Sequence, residues 1–161
     1  MTIKVGDRLP NASFAVMTPE GPAVRSTDDI FKGRRVVLIG VPGAFTPTCS
    51  NVHLPGFVNR LDDFKQKRID AIAVTAVNDV FVMNAWAASS DAGAHMSFLA
   101  DGNGDFAKAL GLTLDLTERG LGVRSQRYSM VVDDGVVQQL NVEASASRAD
   151  VSGAEAILHQ L

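Results

Sequence analysis

Cysteine is scarce in this sequence, with one, Cys49, among 161 residues. A lone cysteine cannot close an internal disulfide, which excludes a disulfide-stapled scaffold and fits a reducing compartment. It also excludes a Cys-x-x-Cys redox pair. Histidine is almost as rare: His53, His95 and His159 are scattered with no Cys/His cluster, so no metal site is expected. No Lys/Arg run exceeds a pair and the formal net charge is -3, which argues against a nucleic-acid partner. Long hydrophobic runs are missing too. The longest, VVLIGVPGAF, is interrupted by Pro42 and glycines and is too short to span a bilayer. The N-terminal MTIKVGDRLP has neither the basic nor the apolar part of a secretory signal. A soluble, cytoplasmic protein is the expectation.

What is present suits one packed domain over residues 1–161. Apolar residues make up 46% of the chain and charged residues 20%, ordinary globular values. RRVVLIGV (34–41) is a short β-branched run, the pattern of a strand buried on both faces. Beyond the PGAFTPT loop, Phe57, Leu61 and Phe64 recur at helical spacing, predicting a helix to about Lys67 with a kink near Leu54, just ahead of Pro55. IDAIAVTAV (69–77) reads as a second buried strand, and Asn78-Asp79 offers an N-cap to a helix carrying Val80, Met83, Trp86 and Ala87. A short strand, MSFLAD, and a short helix stopped by Gly111 follow. In RYSMVVDDGVVQQLNV two strand-like runs flank Asp134-Gly135, a tight hairpin turn, and SGAEAILHQL closes the chain as a helix. The order predicts an α/β fold with a central mixed β-sheet flanked by helices, compatible with a thioredoxin-like architecture.

Cys49 falls where the first strand gives way to a loop and then a helix, an edge at which α/β folds gather reactive groups. The first turn of a helix favours negative charge. A free thiol titrates at about 8.5 and is mostly protonated at neutral pH. Ionising it fully gains roughly tenfold, so fast chemistry also needs transition-state stabilisation. Packing alone is an ordinary use of such a cysteine, yet Pro42, Pro47, Thr46 and Thr48 are poor packing neighbours. A phosphatase-type loop requires an arginine six positions after the cysteine, where Pro55 stands. A Cys-His hydrolase pair would have to use His53, one helical turn on. A thiol sensor that oxidises without turning over is the other alternative.

The stretch PGAFTPTCS resembles the peroxidatic motif of the peroxiredoxins, Pro-x-x-x-Thr-x-x-Cys, with Pro42, Thr46 and Cys49 in register. The later AVNDVFVMNAW, FLADGNGDFAKALGL and RSQRYSMVVDDG are similar to the peroxiredoxin 5 (type II, atypical) subfamily, and the likeness runs through nearly the whole chain. The resemblance implies a thiol-dependent peroxidase that reduces hydrogen peroxide and alkyl hydroperoxides. By it, Cys49 is the nucleophile and passes through a sulfenic acid, Thr46 orients the peroxide and Pro42 shields the sulfur. Backbone N–H groups near Gly43 and Cys49 hold the peroxide oxygens. Arg127, followed by Tyr128, matches the family's arginine beside the thiolate, while Arg124 supports the loop. Phe45 is implied as pocket wall or dimer contact. Leu114 and Leu116 either line an apolar peroxide entrance or belong to the core. Some subfamily members resolve the sulfenic acid with a second cysteine at the place of Val151. This chain therefore resembles the one-cysteine members, with an external reductant: glutathione with glutaredoxin first, thioredoxin second. A homodimer is implied as well.

Overall fold

A computed structural model describes residues 2–161. The β-branched run expected to be buried on both faces forms β3, Arg35–Gly40, at the heart of the molecule. In chain order the elements are β1 (Ser13–Thr18), β2 (Gly21–Ser26), α1 (Thr27–Phe31), β3, a π-helix (Cys49–His53), α2 (Leu54–Val58), α3 (Leu61–Gln66), β4 (Ala71–Ala76), α4 (Val80–Ala88), β5 (Ser97–Ala100), α5 (Asp105–Leu110), β6 (Thr113–Leu116), β7 (Gly122–Ser125), β8 (Tyr128–Asp133), β9 (Val136–Val142) and α6 (Ala154–Gln160). Seven strands form one sheet in the order β2-β1-β5-β4-β3-β8-β9, and β6-β7 make a separate ribbon. β3 runs parallel to β4 and antiparallel to β8, so the sheet is mixed. The architecture is thioredoxin-like, with helices on both faces.

Alternation along β3 divides its side chains between two cores. Val37 and Ile39 pack with Leu54, Phe57, Phe64, Met83, Trp86 and Ile157, the layer of α2, α3, α4 and α6. Val36 and Leu38 pack with Ile30, Phe31, Phe106 and Leu110, the layer of α1 and α5. The Asp134-Gly135 turn forms as expected, with φ of 49° and 81°. Ahead of β3, the β1–β2 hairpin and α1 occupy residues to which the sequence pattern assigned no element. Helix α1 opens on a capping box in which Ser26 and Asp29 bond each other's backbone.

The long helix expected to reach Lys67 is corrected in two places. Its start is wound as a π-turn, in which Leu54 N–H donates to Cys49 C=O, and the chain breaks at Asn59–Arg60 before α3. Pro55 has no N–H to offer, and it sits at the opening of α2, where helices leave that donor unpaired in any case.

Four strand ends bring the site residues to one edge. β3 ends at Gly40, and antiparallel β8 begins beside it because Tyr128 pairs with Gly40. β4 ends there as well, before Asn78. β9 returns to the same edge, where Glu143 N–H donates to Arg127 C=O at 2.9 Å. The Gly40–Tyr128 pair fixes this alignment. A Cβ on Gly40 would lie 1.9 Å from the buried Tyr128 ring. Gly40→Ala is therefore expected to destabilise the fold by about 3 kcal/mol through overpacking. Urea unfolding measures this, and a loss below about 0.5 kcal/mol would mean that the ring relocates freely.

Candidate active site

The loop Val41–Thr46 leaves β3 at this edge and enters the helix at Pro47, whose fixed φ suits a first helical residue. Ser50 N–H donates to Thr46 C=O at 3.0 Å, which closes the first turn and places Cys49 inside it. Gly43 is needed for a close approach: a Cβ there would lie 3.0 Å from Arg124 Nη1 and 3.3 Å from Thr46 Cγ2. On its other side, Ala44 N–H donates to Asn78 Oδ1 at 2.9 Å. Asp79, not Asn78, caps α4, leaving Asn78 to hold the loop. Phe45 adopts φ of 64°, a conformation that a bulky residue rarely accepts, and is exposed.

Cys49 is fully buried, and two groups hold its sulfur. Arg127 Nη2 donates to Sγ at 2.9 Å, and Thr46 Oγ1 lies 2.8 Å from Sγ. Thr46 Oγ1 is also 2.8 Å from Gly43 C=O. One hydroxyl proton cannot serve both acceptors. With a protonated thiol, S–H points to Oγ1 and the hydroxyl donates to Gly43; with a thiolate, the hydroxyl must turn to the sulfur. Thr46 thus follows the charge on Cys49 without leaving its rotamer.

Arg127 is 2% exposed, and among the described residues no carboxylate lies within ion-pairing distance of it. Its Nε donates to Ala146 C=O and its Nη1 to His53 Nδ1, each at 2.9 Å. Within hydrogen-bond reach of this buried guanidinium, Cys49 is the group able to carry a negative charge. His53 Nε2 lies 2.9 Å from Ser152 C=O, which can only accept. The proton therefore resides on Nε2, and Nδ1 is free to accept from Arg127. Burial above all, with the Arg127 charge beside it and against the Ser152 bond, holds His53 down at about 4. His53 is a neutral prop for Arg127. The Cys49–His53 pair of a hydrolase is not formed, because the arginine lies between them.

The remaining expected residues divide. Pro42 is buried behind the loop. Arg124 Nε donates to Leu121 C=O at 2.8 Å while its Nη1 lies over Gly43. Leu114 pairs across the β6–β7 ribbon with Arg124, and Leu116 with Gly122; both are half-buried and belong to neither core cluster. Trp86 packs edge-on against Phe98, and its Nε1 also donates to Ser50 Oγ at 3.1 Å. Sequence reasoning missed Asn78, Ser50, Glu143, Ser152 and the carbonyl of Ala146. Only Asn78 left a trace, as a polar residue ending a buried strand.

His53 has a stability consequence. The unfolded chain takes up a proton near pH 6.5, the folded chain only near 4. Its contribution is complete above about 6.5 and is lost as pH falls towards 4, amounting to about 3 kcal/mol at most. Between pH 6.5 and 5, above the ordinary carboxylate range, stability from urea titrations should fall. His53→Leu should flatten that slope, and an unchanged slope would assign it to other groups.

The redoxin family model matches residues 4–158. The chain is 47% identical over 160 residues to peroxiredoxin-2C of Oryza sativa subsp. japonica, covering 99% of this chain and 98% of that one. Relatives named chloroplastic and mitochondrial, from Arabidopsis thaliana, match as well. Reduced Prx3 in complex with h2o2 from Vibrio vulnificus superposes with a TM-score of 0.93 at 48% identity, over 99% of each chain. Peroxiredoxin 5 from Alvinella pompejana superposes with a TM-score of 0.86 at 35% identity, over 98% of this chain and 96% of that one. A fold matched along its whole length and close identity to named peroxiredoxins place this chain in the redoxin family, as a peroxidase of the peroxiredoxin group.

Proposed function

We propose that this peroxiredoxin reduces hydrogen peroxide and alkyl hydroperoxides at Cys49 and is regenerated by an external thiol. The observation that carries the reading is a sulfur held by a buried guanidinium on one side and a proton-switching hydroxyl on the other. The Cys49 thiolate attacks one peroxide oxygen and the O–O bond breaks. The sulfur is oxidised to S–OH by two electrons, and the departing oxygen leaves as hydroxide or alkoxide, taking up the proton the thiol has lost. Arg127 stabilises the charge as it moves from sulfur to the departing oxygen. Thr46 donates to the thiolate before the reaction and to the peroxide during it. Pro42 and Gly43 shape the floor, and Leu114, Leu116 and Phe45 give the approach an apolar side. The peroxide named in the Vibrio vulnificus complex supports hydrogen peroxide as a substrate.

The chain supplies no second cysteine, and Val151 stands at the place where a resolving thiol is found in some relatives. The first external thiol condenses with the sulfenic acid to a mixed disulfide and releases water; a second displaces Cys49 as thiol. Glutathione with glutaredoxin is the first choice for this role, thioredoxin the second. No metal or prosthetic group takes part. Exposed Phe45, Leu121 and Val123 offer apolar surface for a homodimer, and the cytoplasm is the proposed compartment.

The test is a peroxidase assay with the glutathione/glutaredoxin and thioredoxin systems side by side. Turnover is expected with both peroxide classes and to be faster with glutaredoxin. Cys49→Ser should abolish it with the fold intact, and undiminished turnover there overturns the mechanism. Arg127→Ala should lower kcat/KM about a hundredfold or more, since it removes a donor aimed at the moving charge. Arg124→Ala should cost less, and the reverse ranking would transfer the role to Arg124.

A further inference from the structure

Glu143 is a buried carboxylate that the proposed chemistry does not use. It is 8% exposed, and among the described residues it has no cation within ion-pairing distance. Burying a carboxylate is costly unless strong donors meet it. Here one oxygen, Oε2, accepts from Ser152 N–H at 2.7 Å and from Ser152 Oγ–H at 2.6 Å. Ser152 C=O in turn accepts from His53 Nε2–H, and His53 Nδ1 accepts from Arg127 Nη1. Glu143 N–H donates to the C=O of Arg127 itself. The hydrogen bonds thus form a closed circuit that leaves the Arg127 backbone through Glu143 and Ser152 and returns to the Arg127 side chain through His53. A circuit of this kind fixes where the guanidinium points relative to its own strand.

We propose that Glu143 is a positioning residue for Arg127, acting through Ser152 and His53. It touches neither substrate nor sulfur. Its carboxylate sets the Ser152 carbonyl, that carbonyl fixes the proton on His53 Nε2, and the free Nδ1 aims Nη2 of the arginine at Cys49. The inference rests on the reading of Arg127 as the group that stabilises the moving charge. It extends that reading to a residue with no contact to the reacting atoms.

The test follows the first turnover with hydrogen peroxide by stopped-flow fluorescence of Trp86, which is bonded to Ser50 beside the reacting sulfur. Glu143→Leu should slow this step roughly tenfold to a hundredfold, as a misplacement of the order of an ångström does. Glu143→Gln should stay within about threefold of the parent, because its amide oxygen can still accept both Ser152 donors. In an Arg127→Ala background Glu143→Leu should cost nothing further, whereas a general loosening of the fold would subtract again. Parent-like rates in Glu143→Leu beside a slow Arg127→Ala overturn the proposal and leave the arginine's role standing. Additive losses, or a Glu143→Gln as slow as Glu143→Leu, overturn it too. A parent-like Arg127→Ala overturns the reading beneath it. If Glu143→Leu does not fold, His53→Leu breaks the same circuit one link nearer the arginine, and a parent-like rate there is equally decisive against the proposal.

Discussion

One buried positive charge organises this edge of the molecule. A guanidinium removed from water costs several kcal/mol unless its donors and its charge are both met. Arg127 meets its donors with a carbonyl, a neutral imidazole and a sulfur, and among the described residues it has no carboxylate. A carboxylate in that place would neutralise the arginine permanently. Neutral acceptors leave its charge available to whichever atom in the pocket turns negative. That is the condition for stabilising a charge that moves from sulfur to oxygen.

Aim then becomes a matter of sheet register. Arg127 immediately precedes β8, and Tyr128 is held opposite Gly40 by a ring that tolerates nothing larger than glycine. A slip of one residue between β3 and β8 would turn Arg127 to the opposite face, away from Cys49. The helix on the other side makes a matching adjustment. Cys49 and His53 must both reach the same guanidinium, and the chain between them is wound as a π-turn rather than an α-turn. Such turns are rare and are frequently found at functional sites. Pro55 lowers the cost, because the donor it lacks is one that the turn does not have to satisfy.

Strands β3, β4 and β5, the Asp134-Gly135 hairpin and helices α4, α5 and α6 were legible because each is written in a local code of periodicity, caps or positive-φ residues. The β1–β2 hairpin was not, since its strands are only partly buried and its pattern correspondingly weak. The β6–β7 ribbon stands apart from the main sheet and is half-exposed, so Leu114 and Leu116, which the sequence left open as peroxide entrance or core, belong to neither core cluster. At the site, Pro42, Thr46 and Cys49 were marked by their resemblance to the peroxidatic motif, and Arg127 by its resemblance to the family's arginine ahead of an aromatic residue. His53 was visible one turn after the cysteine, but spacing cannot show that the Arg127 side chain, from just ahead of β8, inserts between them. The carbonyls of Ala146 and Ser152 were invisible in principle, because a backbone acceptor carries no residue identity.

The closed reduced site has a consequence for a chain with one cysteine. Sγ has no exposed surface while Thr46 and Arg127 hold it. A peroxide, little larger than water, needs only a small opening at that mouth. The tripeptide or protein thiol proposed as reductant would need the sulfur itself at the surface. In the proposed cycle, oxidation would change the balance in the direction that regeneration by an external thiol needs. A sulfenic acid is larger than a thiolate and neutral, so it crowds a shell packed around sulfur and no longer offers Arg127 an anion. The bonds that would have to yield are local ones, the π-turn and the Thr48 hydroxyl on Ser147 C=O at 3.0 Å. The arrangement that favours the first half of the reaction is therefore the one that the product of that half weakens.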